Sequence, residues 1–270
     1  MRKNFKLITL PRVIQSESIA SWLIRACQMH CLTFKLIYMA LRLTPPQDAD
    51  ITSYDRLFKR FAYGTNLLPS HLNQISKWFE PLILSGRASK ALHKEINSTP
   101  YTHFCPHCLK NDKIPHWRPE WRFKFWQVCP SHHCKMSEEC PKCGEHQHTN
   151  KANLKLTLEQ SGKALQFCVH CSADLTEKLP HSSFDEQAND KIIAQEYLLK
   201  ICKYGEYSLN PQPHHSVGQR DFINPNNILS ATQRLIVDFH MAYIDSQDGA
   251  RKFYGFKNAL SKRTYFALQK

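Results

Sequence analysis

Residues 104–134 read FCPHCLKNDKIPHWRPEWRFKFWQVCPSHHC, and this stretch decides what the middle of the chain is. It opens on Cys105-Pro106-His107-Cys108 and runs to Cys129-Pro130-Ser131-His132. Two further pairs follow, Cys140-Pro141-Lys142-Cys143 and Cys168-Val169-His170-Cys171. In each, two residues separate the ligand-type side chains, a spacing that lets a tight turn aim both at one metal ion. Zinc takes four such ligands in a tetrahedron, so the knuckles must work in pairs. Sequential pairing makes one site from Cys105, Cys108, Cys129 and His132 and a second from Cys140, Cys143, Cys168 and Cys171. Pairing the first knuckle with the third is the alternative. The expected cofactor is zinc, as two structural ions.

Four protein ligands fill each site, which leaves no open position of the kind a catalytic zinc needs. The sequence contains no H-E-x-x-H. His93-Lys94-Glu95 matches the H-x-E of zinc deaminases, but no P-C-x-x-C follows it. No catalytic residue is expected, and the chain reads as a non-enzyme. Cys27, Cys31, Cys134 and Cys202 are left over from the knuckles. Cys27 and Cys31 stand four apart on a helix and read as small hydrophobes. Cys134 competes with His132 in principle, but its distance along the chain from Cys129 breaks the two-residue spacing.

Between the first two knuckles, Trp117, Trp121, Phe123, Phe125 and Trp126 alternate with Arg118, Arg122 and Lys124. Interleaved rings and cations suit stacking on bases, and they equally suit the small core of a zinc module. Trp117, Trp121 and Phe125 share a helix face, whereas Trp121, Phe123 and Phe125 share a strand face, so period does not choose between them. The tryptophans are expected in the core, and Arg118, Arg122 and Lys124 are the candidates for partner or nucleic-acid contact.

Upstream, residues 16–84 carry helical periodicity. Ile19, Trp22, Leu23, Ala26 and Cys27 form one stripe, opened by Ser16 or Glu17. Thr33 caps a second helix with Phe34, Ile37, Tyr38 and Leu41 on its apolar face. Tyr54, Leu57, Phe58 and Phe61 mark a third, and Leu72, Ile75 and Phe79 a fourth. Such a bundle has room for a helix-turn-helix. Downstream, residues 185–203 return to helix with Ile192, Ile193, Tyr197 and Ile201, and two more helices are expected over about 229–244 and 249–260. The architecture is therefore read as mainly α with small zinc-ribbon β elements. It comprises an N-terminal helical domain over 1–99, a double zinc-binding domain over 100–184 and a helical region over 185–270.

Charge points to the class of partner. The 270 residues hold 36 Lys and Arg against 23 Asp and Glu, a net charge of +13. Two zinc ions and seven thiolates would bring this to about +10. A surplus of that size favours an anionic partner, above all nucleic acid. No stretch is long and apolar enough to cross a membrane. Eleven cysteines with metal-type spacing fit a reducing cytoplasm. No G-x-x-x-x-G-K-[ST] occurs, so nucleotide hydrolysis through a P-loop is excluded.

Two motifs carry a family resemblance. Glu17-Ser18-Ile19-x-Ser21-Trp22-Leu23-x-Arg25 resembles the E-S-L-x-S-W-L-x-R opening of the TniQ/TnsD family of transposon target-selection proteins. The run from Phe104-Cys105-Pro106 through Trp117-Arg118-x-x-Trp121-Arg122, Val128-Cys129-Pro130-x-His132 and Cys140-Pro141-x-Cys143-Gly144 resembles the same family. The resemblance spans about the first 170 residues. It implies a helix-turn-helix domain followed by a double zinc ribbon, and adds Arg25 to the contact candidates. It also implies an adaptor that marks an insertion site and recruits an AAA+ transposition ATPase, either on DNA or on a guide-RNA CRISPR effector complex, in some members as a homodimer. The place of action would be the cytoplasm, at the nucleoid when bound to target. At 270 residues the chain is short for reading a long attachment site alone, which favours the effector-riding role. Where the family commonly has Gly after the ligand His, this chain has His133. A zinc-ribbon, helix-turn-helix transcriptional regulator is the alternative function.

Overall fold

The computed structural model describes residues 10–40, 43–51, 77–79, 91–182 and several positions between 188 and 199. Helix α1 (Ile19–Met29) begins at Ser18, whose side chain accepts the Ser21 N–H. Ser16 lies outside it in a left-handed turn, φ 62°, so the helix starts two residues later than Ser16 would suggest. Every residue of the expected stripe is buried, and Ala20, Ser21 and Ile24 are buried with it. The helix is thus enclosed on most of its circumference rather than lying on a surface. Each fully buried Leu or Ile there contributes about 1.5–3 kcal/mol of transfer free energy.

Helix α2 (Phe34–Ala40) follows Thr33, whose Oγ1 accepts the Leu36 N–H at 3.3 Å, and buries Phe34, Ile37 and Tyr38. A 3₁₀ turn at Ala49–Ile51 then packs against α1. The third expected helix lies outside the described residues, as do the C-terminal pair and most of the fourth. Of that fourth helix, Lys77–Phe79 is a 3₁₀ turn, with Phe79 stacked on Phe123 at 5.7 Å. Among the described residues, α1 and α2 are the α-helices of the expected bundle.

The middle of the chain is built from short pieces. Strands β1 (Tyr101–Thr102) and β4 (Gln147–His148) pair antiparallel, as do β2 (Val128–Cys129) and β3 (Cys134–Lys135). Helix α3 (Pro106–Asn111) carries the first knuckle, with Pro at its first position, where no N–H is needed. The aromatic stretch takes neither a full helix nor a strand. It makes a 3₁₀ turn at Pro119–Arg122, an isolated bridge from Phe123 to Leu92 and a further turn at Lys124 and Phe125, burying Trp117, Trp121, Phe123, Phe125 and Trp126. Helix α4 (Leu158–Ser161), not anticipated from periodicity, rests on a capping box between Thr157 and Gln160.

One apolar cluster runs from Leu10 in the N-terminal arm to Leu175, joining α1 and α2 to the middle segment. A 3₁₀ turn at Ala164–Gln166 packs directly on α1. The described positions between 188 and 199 are helical, as the sequence predicts. Ile193, expected on the apolar stripe, is exposed, whereas Ala188 and Gln195 are buried. Gln195 Oε1 accepts the N–H groups of Gln127 and Val128, and its Nε2 donates to the Val128 carbonyl at 2.5 Å. Among the described residues no helix is long and apolar enough to cross a membrane.

Candidate metal centres

The four knuckles come together in sequential pairs. The ligand atoms of Cys105, Cys108, Cys129 and His132 all lie within 4.8 Å of one another, and so do those of Cys140, Cys143, Cys168 and Cys171. In the first cluster Cys105 is the N-cap of α3 and Cys108 sits in its first turn. Cys129 ends β2, and His132 follows in the turn to β3. The Nδ1 atom of His132 faces all three sulfurs, at 3.6 Å from Cys105, 3.3 Å from Cys108 and 3.5 Å from Cys129. The Cys108 and Cys129 sulfurs are 3.6 Å apart. The other ring nitrogen, Nε2, lies 3.2 Å from the Asn111 side-chain nitrogen. His107, inside the first knuckle, stacks on the His132 ring from outside the ligand set.

In the second cluster the closest sulfur pairs are Cys140–Cys171 and Cys143–Cys168, each 3.7 Å apart. Backbone amides point at the sulfurs: Lys142 N–H donates to Cys140 and His170 N–H to Cys168, both at 3.4 Å. The buried Gln147 accepts the Val169 N–H at 3.1 Å and donates to Cys168 Sγ at 3.6 Å. Asn153 holds the same knuckle through the Cys168 carbonyl at 2.8 Å.

Three of the knuckles turn in one way. The amides of His133, Gly144 and Ser172 donate back to the carbonyls of Cys129, Cys140 and Cys168, at 2.8, 2.9 and 3.1 Å. All three residues are left-handed, with φ of 47°, 73° and 62°. Only at Gly144 does the sequence supply the residue that adopts this conformation without a Cβ penalty. The place where the family commonly has Gly is thus a strained position here, held by His133.

The donor sets S₃N and S₄ suit a thiophilic tetrahedral ion such as zinc. Without a cation the clusters are electrostatically awkward. Burial pushes the Cys140 thiol up and Cys143 up to about 12, and the neighbouring Cys105 sulfur holds Cys129 at about 11. A divalent ion removes that cost by stabilising the thiolates.

The contact candidates lie elsewhere than on an open surface. Arg122 is 1 % exposed. Its guanidinium binds Asp48 at 2.6 Å, Asp50 at 3.3 Å and the Thr149 hydroxyl at 2.7 Å. Asp50 in turn accepts the Ala20 N–H, at the N-terminal end of α1, at 2.9 Å. Even beside Arg122, burial raises the Asp50 carboxyl to about 6. Arg25 is engaged by Glu17 through two bonds of 2.8 and 2.7 Å and donates to the Arg12 carbonyl. Arg118 binds Asp112 at 2.9 Å and covers the Trp121 ring, 4.9 Å from its centroid. Lys124 is half-buried. Of the spare cysteines, Cys27 is buried and Cys31 exposed, and neither joins a metal cluster among the described residues; Cys202 lies outside them. His93 is buried against His103, whereas Glu95 pairs with His148 at 2.6 Å, so the H-x-E residues diverge.

The two motifs behind the family resemblance bind each other. Ser18 N–H donates to the Trp117 carbonyl at 2.9 Å, and Trp117 N–H donates to the Ser21 hydroxyl at 3.1 Å. The Ser21 hydroxyl donates to Glu17 Oε1 at 2.8 Å, and the Trp22 indole donates to the Pro11 carbonyl at 2.9 Å.

Residues 9–136 match the TniQ family model. The match takes in the first knuckle pair and ends before the second, short of the 170 residues over which the motifs are recognisable by eye. No curated protein matches the chain.

Proposed function

We propose that this chain, from the TniQ domain it carries over residues 9–136, serves as a target-site selection adaptor in DNA transposition. A TniQ domain marks a transposon-associated target-selection family whose members act as non-catalytic adaptors. The partner we assign is an AAA+ transposition ATPase. The platform is target DNA, reached either directly or through a guide-RNA CRISPR effector complex. In this reading two zinc ions are scaffolding. They close the knuckles so that α1 and the middle segment present one rigid surface.

The observation that carries this reading is the match to TniQ over a region whose two signature motifs dock on each other, Ser18 and Ser21 against Trp117. The mutual docking supports a recognition body built from both motifs rather than two independent modules. With Arg25 and Arg122 committed internally, the exposed lysines of the zinc module, including Lys110, Lys113, Lys135 and Lys142, are the surface offered to an anionic partner.

The test is co-purification with an AAA+ transposition ATPase, with and without ATP and target DNA. Nucleotide-dependent co-elution is the expected result. Sequence-specific DNA binding with no ATPase contact under any condition would replace this reading with that of a transcriptional regulator. Steep loss of DNA affinity with salt would assign direct phosphate contact; a flat response would assign targeting to the effector complex.

A further inference from the structure

We propose that Cys134 is a reserve ligand of the first cluster, placed to take over from His132 as the fourth donor to a zinc ion. The inference rests on reading that cluster as a zinc site. By spacing alone Cys134 is excluded from the knuckle, because it stands too far along the chain from Cys129. The β2–β3 hairpin overrides that spacing. Its register sets Cys129 directly opposite Cys134, so the two cysteines are cross-strand neighbours.

The Cys134 side chain is fully buried, and its sulfur lies 3.7 Å from that of Cys105. That is the separation of the ligand sulfurs themselves, 3.6 Å for Cys108–Cys129 and 3.7 Å for both close pairs of the second cluster. Sulfurs sharing one tetrahedral ion at a Zn–S distance of about 2.3 Å stand about 3.8 Å apart. Cys134 therefore stands at a ligand's distance from one member of the cluster, on a strand that fixes its backbone.

His132 is the less secure arm of the same site. Its ring is only partly buried, and it is followed by His133 with φ 47°, a conformation that costs a residue with a Cβ about 1–3 kcal/mol. In the exchange the His132 imidazole leaves as a neutral donor. The Cys134 thiol releases its proton to solvent and binds as thiolate. No oxidant or reductant is needed, and the ion with its ligands changes from a net charge of about −1 to about −2. The module would then keep its ion through the loss of its imidazole donor.

The experiment measures zinc per chain, and the visible spectrum after cobalt(II) substitution, for the full chain and for His132→Ala, Cys134→Ser and the double variant. Wild type and both single variants are expected to hold two ions, and the double variant one. In His132→Ala the sulfur-to-cobalt band should rise by about one-seventh, as bound thiolates go from seven to eight. Loss of an ion from His132→Ala alone overturns the proposal. So does retention of both ions in the double variant, or a His132→Ala spectrum without the added thiolate, since water would then be filling the position. Wild-type protein that binds no ion at the first cluster overturns the zinc reading itself. Cys140→Ser, which should remove only the second ion in each background, tells the two sites apart.

Discussion

Ser21 on α1 accepts the backbone N–H of Trp117 at 3.1 Å, across 96 positions of sequence. The hydroxyl donates to Glu17, which is held by Arg25, so one chain of bonds runs from the aromatic stretch into the first helix and back to the N-terminal arm. Ser21 lies off the apolar stripe of Ile19, Trp22, Leu23, Ala26 and Cys27. In the fold it is the contact point between the two most recognisable segments of the chain.

Arg25→Met should therefore destabilise the protein by about 3–5 kcal/mol, because it leaves the Glu17 carboxylate buried without its partner. Urea denaturation should show the loss, while metal content stays at the wild-type value. Unchanged stability would mean that Glu17 is solvated or protonated rather than paired.

Arg122→Ala should cost a similar amount, about 3–5 kcal/mol, since Asp48 and Asp50 lose their shared cation. Asp50→Asn in the same chain should restore part of it. Arg118→Ala, at a partly exposed pair, should cost about 1 kcal/mol or less. Equal effects of Arg122→Ala and Arg118→Ala on urea midpoints would contradict the buried position of Arg122.

Acid should weaken the fold through His93. Burial holds its pKa well below the ordinary histidine value, with His103 and Arg122 adding to the effect. The unfolded chain takes up this proton near pH 6.5 and the folded one does not, so stability is lost as pH falls below that value. Asp50 works in the opposite sense. Its carboxyl is raised from 3.8 to about 6, so the folded state gains a proton, and with it stability, as pH falls through that window. His93→Phe removes the first effect and keeps the second. With zinc saturating, the variant should lose less stability between about pH 7 and about pH 5.5 than wild type does. An equal or greater loss would place the acid sensitivity elsewhere.

Gly at position 133 should help. His133→Gly relieves a left-handed φ of 47° in the turn after His132 and should stabilise the zinc-loaded protein by about 1 kcal/mol. Thermal unfolding with zinc present reads this directly. A lower melting temperature would show that the His133 side chain makes contacts worth more than the strain.

How far the sequence can be read depends on the range over which each feature is encoded. The knuckles are legible because ligand spacing is a local property, and the stripe of α1 is legible because helical period is local too. Arg122 misleads for the opposite reason. Beside tryptophans it resembles a base-stacking cation, and the aspartates that claim it lie 74 and 72 residues away. The same holds for Gln195, which a stripe analysis passes over and which binds the β2 backbone from 67 residues away. α4 had a local signal, Thr157 followed by Gln160, that period alone does not detect. Linear spacing separates Cys134 from the knuckle, and only the hairpin register brings it to the cluster.

Metal content of the natively purified chain, read by elemental mass spectrometry alongside circular dichroism before and after chelation, bears most directly on the account. Two zinc ions per chain, with loss of the folded signal when they are stripped, is the predicted result. A metal-free protein with an unchanged fold would contradict it.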